Sequence, residues 1–242
     1  MGVGFSGIMS SVEAKLQQVR TRIATACETS QRPVQSVTLL AVTKTFGPQA
    51  VRDALAVGQH AFGENYVQEA LEKIESLADE RERLEWHLIG PLQSNKTRVV
   101  AAHFDWVHTI DRLKVAERLS AQRPEHLPPL QVCLQVNISG EDSKSGVAPA
   151  DTLALAEAVC QLPRLRLRGL MAVPEPEGDL DTQREPHRAL ARLLFDLNAA
   201  GQVLDTLSIG MSADLEAAIA EGATIVRVGS AIFGERSRSA VP

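Results

Sequence analysis

Eight times along the 242 residues, a short run rich in β-branched and apolar side chains is followed by a stretch of helical periodicity. This alternation constrains the fold more than anything else in the chain. Strands separated by helices pair in parallel, because parallel neighbours need a long crossover. The strand runs are Val37–Thr43, His60–Phe62, Trp86–Ile89, Trp106–Thr109, Leu130–Val136, Leu165–Met171, Thr206–Ile209 and Thr224–Val228. A further helix leads, with Val12, Leu16, Val19 and Ile23 on one face. Eight strand–helix units and an extra N-terminal helix predict an α/β fold, a single-domain (β/α)8 TIM-type barrel. The length agrees with the roughly 250 residues typical of such barrels. An open doubly wound sheet is the alternative that the pattern alone leaves. No linker or repeat divides residues 1–242, so one domain is expected, with flexible tails at 1–9 and 237–242.

Local signals mark some boundaries. Gly47-Pro48 predicts a helix start, Asp111 an N-cap, and Ser212 the opening of another helix. Pro174 to Pro186 is rich in proline and acid and reads as an exposed loop, with a helix from Arg184 to Ala200.

Composition removes several function classes. With 44% hydrophobic and 23% charged residues, the chain can bury a core without disulfides or metal. Lys+Arg number 25 against 30 Asp+Glu, a net charge of −5, so no nucleic-acid partner is expected. Three widely spaced cysteines, with no CxxC, suit a reducing compartment. No histidine cluster has metal-ligand spacing. The apolar runs are too short to span a bilayer, and no basic-then-apolar leader opens the sequence. The expectation is a cytoplasmic monomer without membrane contact.

Three motifs are near misses. Gly2 to Gly7 spells GxGxxG, but no strand precedes it. Gly90 to Thr97 approximates a phosphate-binding P-loop, yet Asn95 replaces a required glycine and Pro91 removes an amide. Gly210-Met211-Ser212-Ala213-Asp214 resembles a nucleophile elbow, but every histidine precedes that serine, against the order of the hydrolase triad.

Barrel chemistry sits at the C-terminal ends of strands. Lys44 ends the first run after Leu39-Leu40-Ala41-Val42. An amine against an apolar wall sheds solvation, which favours its neutral form and Schiff-base chemistry with an aldehyde. The alternative is a strand-end lysine reaching for water. The loops after the seventh and eighth strands, Ile209 to Ser212 and Arg227 to Ser230, each offer a glycine and a hydroxyl beside a predicted helix start. Such loops bind phosphate in many barrels. Arg227 follows Ile225-Val226, and barrel closure sets the eighth strand beside the first, near Lys44. Arginine carries only donors, so it needs an acceptor, either a ligand ring nitrogen or an internal carboxylate such as Glu64. An aldehyde, a phosphate and a ring acceptor together describe pyridoxal 5′-phosphate, the vitamin B6 cofactor.

Several blocks carry a resemblance: Ala41-Val42-Thr43-Lys44, Phe62 to Glu69, Trp86 to Lys96, Val136 to Ser139 with Ser143 to Gly146, Gly169 to Ala172, Gly210 to Asp214 and Gly229 to Gly234. Over about residues 10 to 236 the chain resembles the pyridoxal phosphate homeostasis protein family, related to the barrel domain of alanine racemase. The resemblance implies a fold-type-III-like barrel in which Lys44 holds the cofactor as a reversible aldimine. It implies Met211, Ser212, Gly229 and Ser230 around the phosphate, Arg227 facing the pyridine nitrogen, and Asn65 and His87 lining the ring. Ser230 stands where the family usually has Thr, and Ile209 where it often has Met; neither change alters the chemistry. The implied function is a carrier that buffers the cofactor or delivers it to apo-enzymes, rather than a robust catalyst. Arginine beside the ring nitrogen disfavours strong electron-sink chemistry. A second domain, which completes the site in alanine racemase-like enzymes, is not expected in a chain that ends at Pro242. The first alternative is an amino-acid racemase, for which Tyr66, the sole tyrosine, is the obvious candidate base. The second is a Schiff-base aldolase without cofactor. The polar loop Ser139 to Gly146 is expected at the same mouth.

Overall fold

The computed structural model describes residues 11–140, 145–175 and 178–234. The two tails, the GxGxxG tract and the Ser143-Lys144 part of the polar loop lie outside the described residues.

The strands are β1 (Thr38–Val42), β2 (Ala61–Glu64), β3 (Glu85–Leu88), β4 (Trp106–Ile110), β5 (Leu130–Gln135), β6 (Leu165–Met171), β7 (Thr206–Ser208) and β8 (Ile225–Val228). All pair in parallel, in sequence order, and close into a barrel. Closure sets Leu40 opposite Arg227 and Ala41 opposite Val228. The helices are α1 (Ser11–Thr29), α2 (Pro48–Ala56), α3 (Val67–Ser76), α4 (Thr97–His103), α5 (Leu113–Gln122), α6 (Thr152–Cys160), α7 (Leu180–Ala199), α8 (Leu215–Ala220) and α9 (Ser230–Phe233). The fold is thus a (β/α)8 barrel preceded by one helix, as the alternation predicts, and the open sheet is excluded. No described helix is long and apolar enough to cross a membrane.

Strand alternation divides the core in two. One layer lies between barrel and helices. Inside the barrel, Leu40, Ala61, Trp106, Cys133, Met171 and Ile225 pack together. The interior also buries His87, His108, Ser208 and Arg227. The leading helix covers the barrel: Leu16, Val19 and Ile23 are buried, each burial favouring the fold by about 1.5–3 kcal/mol.

Three boundary expectations change. Asp111 is not a cap; its carboxylate pairs with Arg112, which itself precedes α5. The segment before Arg184 is not all loop. Helix α7 starts at Leu180, because Asp179 accepts a hydrogen bond from the Thr182 amide, and the helix continues through Pro186. Ser212 does not open a helix. The chain turns through Ser212 to Asp214, and α8 begins at Leu215.

Candidate functional site

Lys44 lies two residues past β1, in a tight turn closed by the Phe46 amide donating to the Thr43 carbonyl at 3.0 Å. Lys44 and Thr45 are its central residues. Thr45 takes φ +68°, while Lys44 stays at negative φ. A left-handed second central residue marks a type II turn, where glycine or asparagine is usual. A β-branched residue there costs on the order of 1–3 kcal/mol. Side chains from the neighbouring unit hold both ends of this turn. Lys73 Nζ, from α3, donates to the Thr43 carbonyl at 2.8 Å, to Glu64 Oε1 at 2.6 Å and to Glu69 Oε1 at 3.3 Å. The Thr43 hydroxyl donates to Glu64, and the Thr45 amide donates to Glu69. Glu64 and Lys73 are almost wholly buried. Burial pushes the Glu64 carboxyl above its ordinary range despite the pull of Lys73, and its second oxygen has no hydrogen-bond partner among the described residues. Glu64 therefore pairs with Lys73 and not with Arg227.

The half-buried Lys44 borders a cavity of about 470 Å³ at the barrel mouth. That volume suits a small-molecule ligand. Asn65, Met211, Ser212, Arg227, Gly229 and Ser230 line the same cavity. A second cavity of about 610 Å³ shares Asn65, Ile89, Val173 and Met211 with it. The buried Oδ1 of Asn65 has no hydrogen-bond partner among the described residues. The Asn65 backbone presses on Gly90: a Cβ there would come within 2.0 Å of the Asn65 carbonyl oxygen, so only glycine fits. The P-loop-like stretch is thus a packing contact at this wall. Thr45, Phe46, Ile89 and Val173 also line the Lys44 cavity. Their position just past strand ends was the available signal.

His87 does not line either cavity. Successive strand residues alternate faces, so His87 points into the barrel one layer below the mouth, and Ile89, two residues on, reaches the cavity. His87 stacks on Trp106 with ring centroids 5.2 Å apart. It belongs to a hydrogen-bonded chain that runs from the exposed Glu85 into the buried barrel interior. Glu85 Oε1 is 2.7 Å from His87 Nε2, His87 Nδ1 is 2.8 Å from His108 Nε2, and His108 Nδ1 is 2.8 Å from Ser208 Oγ. Ser208 Oγ accepts from Arg227 at 2.8 Å. Arg227 can only donate and an ionised carboxylate can only accept, which fixes the roles at the two ends of the chain. With one proton on each ring, every link is satisfied when Ser208 donates to His108, His108 to His87, and His87 to Glu85. The hydrogen bond from His87 holds the Glu85 carboxyl below its ordinary range. Burial pushes the Arg227 guanidinium down to about 10, still far above neutrality, so it stays charged. Its remaining bonds go to the carbonyls of Ser208 and Ala172. No carboxylate bonds to it among the described residues.

The loop after β7 is shaped by Asp214, which accepts from the Met211 amide at 2.7 Å and pairs with His187 at 2.9 Å. These hydrogen bonds outweigh burial and hold Asp214 below its ordinary range. Gly210 makes the bend at φ +92°, its α-hydrogen facing Ala218. Arg22 of α1 donates to the Ser212 carbonyl at 3.0 Å while paired with Glu216. With α8 and α9 short, this mouth can offer an anion hydroxyls and loop amides but no long helix dipole. Tyr66 is half-exposed and lines neither cavity.

Comparison with known proteins adds independent information. A family model described as alanine racemase, N-terminal domain, matches residues 15–237. The chain is 58% identical over 232 residues to the pyridoxal phosphate homeostasis protein of Pseudomonas aeruginosa, covering 96% of this chain and 99% of that one. It is 53% identical to the protein of that name from Escherichia coli K12, with the same coverage. Among solved structures, PipY of Synechococcus elongatus PCC7942, with PLP bound, matches with a TM-score of 0.80 and 36% identity, covering 93% of this chain and 100% of that one.

Proposed function

The chain belongs to the family of pyridoxal phosphate homeostasis proteins and carries an alanine racemase N-terminal domain, and on that footing we propose that it holds pyridoxal 5′-phosphate reversibly, buffers it and hands it to apo-enzymes. One observation carries the reading: Lys44, Ser212, Arg227, Gly229 and Ser230 converge on one cavity of about 470 Å³. The donor set fits the cofactor. It combines an amine, two hydroxyls beside a glycine, a charged donor, and an unpartnered buried amide oxygen at Asn65. When bound, the cofactor supplies an aldehyde that condenses reversibly with an amine. Lys44 offers that amine, and Ser212 and Ser230 offer hydroxyl donors to an anion. Arg227 offers a hydrogen bond to a ring nitrogen and, as a donor only, no carboxylate to keep that nitrogen protonated. This favours holding over catalysis. The neighbouring 610 Å³ cavity leaves room for an incoming amine beside Lys44.

The racemase alternative needs a base facing the ligand, and Tyr66 is not in place for it. The whole chain is proposed to work as one barrel domain, as a monomer, in the cytoplasm. Burial of the apolar face of α1 against the barrel supports the monomer, and three unpaired cysteines support a reducing compartment. Wild-type protein mixed with the cofactor and desalted should stay yellow and restore activity to a cofactor-dependent apo-enzyme. Lys44→Ala should emerge colourless. A coloured Lys44→Ala, or brisk α-hydrogen exchange of amino acids in deuterated water by the wild type, would overturn the carrier reading.

A further inference from the structure

The turn that carries Lys44 is held in a conformation its own sequence resists. Thr45 is β-branched and left-handed at φ +68°, in the turn position where glycine is usual. Its amide is directed at Glu69. Two residues back, the Thr43 carbonyl takes the buried ammonium of Lys73 at 2.8 Å. Lys73 and Glu69 lie one helical turn apart on α3 and pair with each other at 3.3 Å. Lys73 also pairs with Glu64 at the end of β2. One helix face thus grips the acceptor before Lys44 and the donor after it. Neither grip touches Lys44 itself.

We propose that Glu69 and Lys73 are positioning residues, which hold the Thr43–Phe46 turn in its left-handed form and so aim Lys44 into the mouth cavity. The role rests on the proposed function, in which Lys44 takes the cofactor aldehyde. Without the acceptor at Glu69, the Thr45 amide loses its partner and the turn relaxes toward negative φ. The Lys44 stem then no longer leaves the turn toward Arg227 and Ser230. The alternative is that this cluster only secures α3 to the barrel.

Glu69 is partly exposed, so its replacement leaves the core intact. Three variants test the role: Glu69→Ala, Glu69→Gln and the double variant Glu69→Ala with Thr45→Gly. Two readouts apply. The first, on cofactor-free protein, is hydrogen exchange at the Thr45 amide by NMR. The second is the rate at which pyridoxal phosphate becomes fixed on Lys44 by borohydride, followed by peptide mass spectrometry. Glu69→Ala should speed the exchange and slow the fixation, each on the order of tenfold. Glu69→Gln keeps an acceptor oxygen and should stay near wild type. The double variant should recover the fixation rate, because glycine adopts the left-handed conformation without help. Wild-type fixation by Glu69→Ala, or a double variant as slow as Glu69→Ala, overturns the proposal. If no variant, wild type included, is labelled at Lys44, the proposed function fails. The exchange readout then still decides the clamp, since unchanged exchange in Glu69→Ala refutes it.

Discussion

Buried charge is concentrated where the site needs rigidity. Among the described residues, Lys73 has three acceptors, and Glu64 has only Lys73 and the Thr43 hydroxyl. Lys73→Met should lower stability by about 3–5 kcal/mol, because it leaves the Glu64 carboxylate buried and unpaired. Combining it with Glu64→Gln should recover part of that loss. Urea unfolding measures both, and a single variant as stable as wild type would refute the pairing. In the His87–His108 chain, both rings should carry their proton on Nε2, the only arrangement in which every link from Arg227 to Glu85 is satisfied with one proton per ring. Nitrogen-15 NMR of the rings reads the tautomer directly, and an Nδ1-protonated ring at either position would contradict it. At this scale the sequence was readable where a residue's place on a strand end dictates its neighbours, as for Lys44 and Arg227. It was not readable for His87 and Glu64. Apart from Glu85 on its own strand, their partners come from other parts of the barrel and from α3, and which interior layer a side chain occupies depends on strand stagger, which no local signal encodes.

The elements divide the labour between scaffold and loop control. Helix α1 is both cover and strut: Leu16, Val19 and Ile23 bury its face, while Arg22 reaches the Ser212 carbonyl and Arg32, just beyond the helix, donates to the carbonyls of Ile219 and Ala223. Leu16→Ala should cost about 2–5 kcal/mol in urea unfolding, as truncation of a fully buried leucine does. A loss below about 0.5 kcal/mol, the range of surface substitutions, would mean that the helix does not pack as described. Helical periodicity identified α1, and short apolar, β-branched runs identified every strand, because β2, β4, β7 and β8 are buried on both faces and leave no alternation to read. The start of α7 was missed because Pro186 looks like a breaker. Its lost amide bond is tolerated in a helix capped by Asp179 and seated through Leu190 and Leu197. The true start of α8 was missed because Ser212 looks like a cap, whereas Asp214 turns back to bind the Met211 amide.

The whole molecule shows the balance in its response to acid. Burial, with the charge of Arg227 adding to it, holds His108 well below its ordinary value of 6.5. Below about pH 6.5 the unfolded chain binds a proton at this residue that the folded chain refuses, so stability is full above that pH and falls as acid is added. The slope contributed by this residue approaches about 1.4 kcal/mol per pH unit. Urea midpoints should therefore drop between pH 7.5 and 5.5, and a flat profile would contradict a neutral buried His108. Sedimentation should find a monomer, since α1 spends its apolar face on the barrel; a stable dimer would show that another face is used. The account as a whole stands on Lys44 being the residue that takes the cofactor. Borohydride reduction of the loaded protein, digestion and mass spectrometry locate the bound group. A pyridoxyl-phosphate mass on the peptide containing Lys44, absent from Lys44→Ala, is the expected result; the same mass on another lysine, or on none, would refute the assignment.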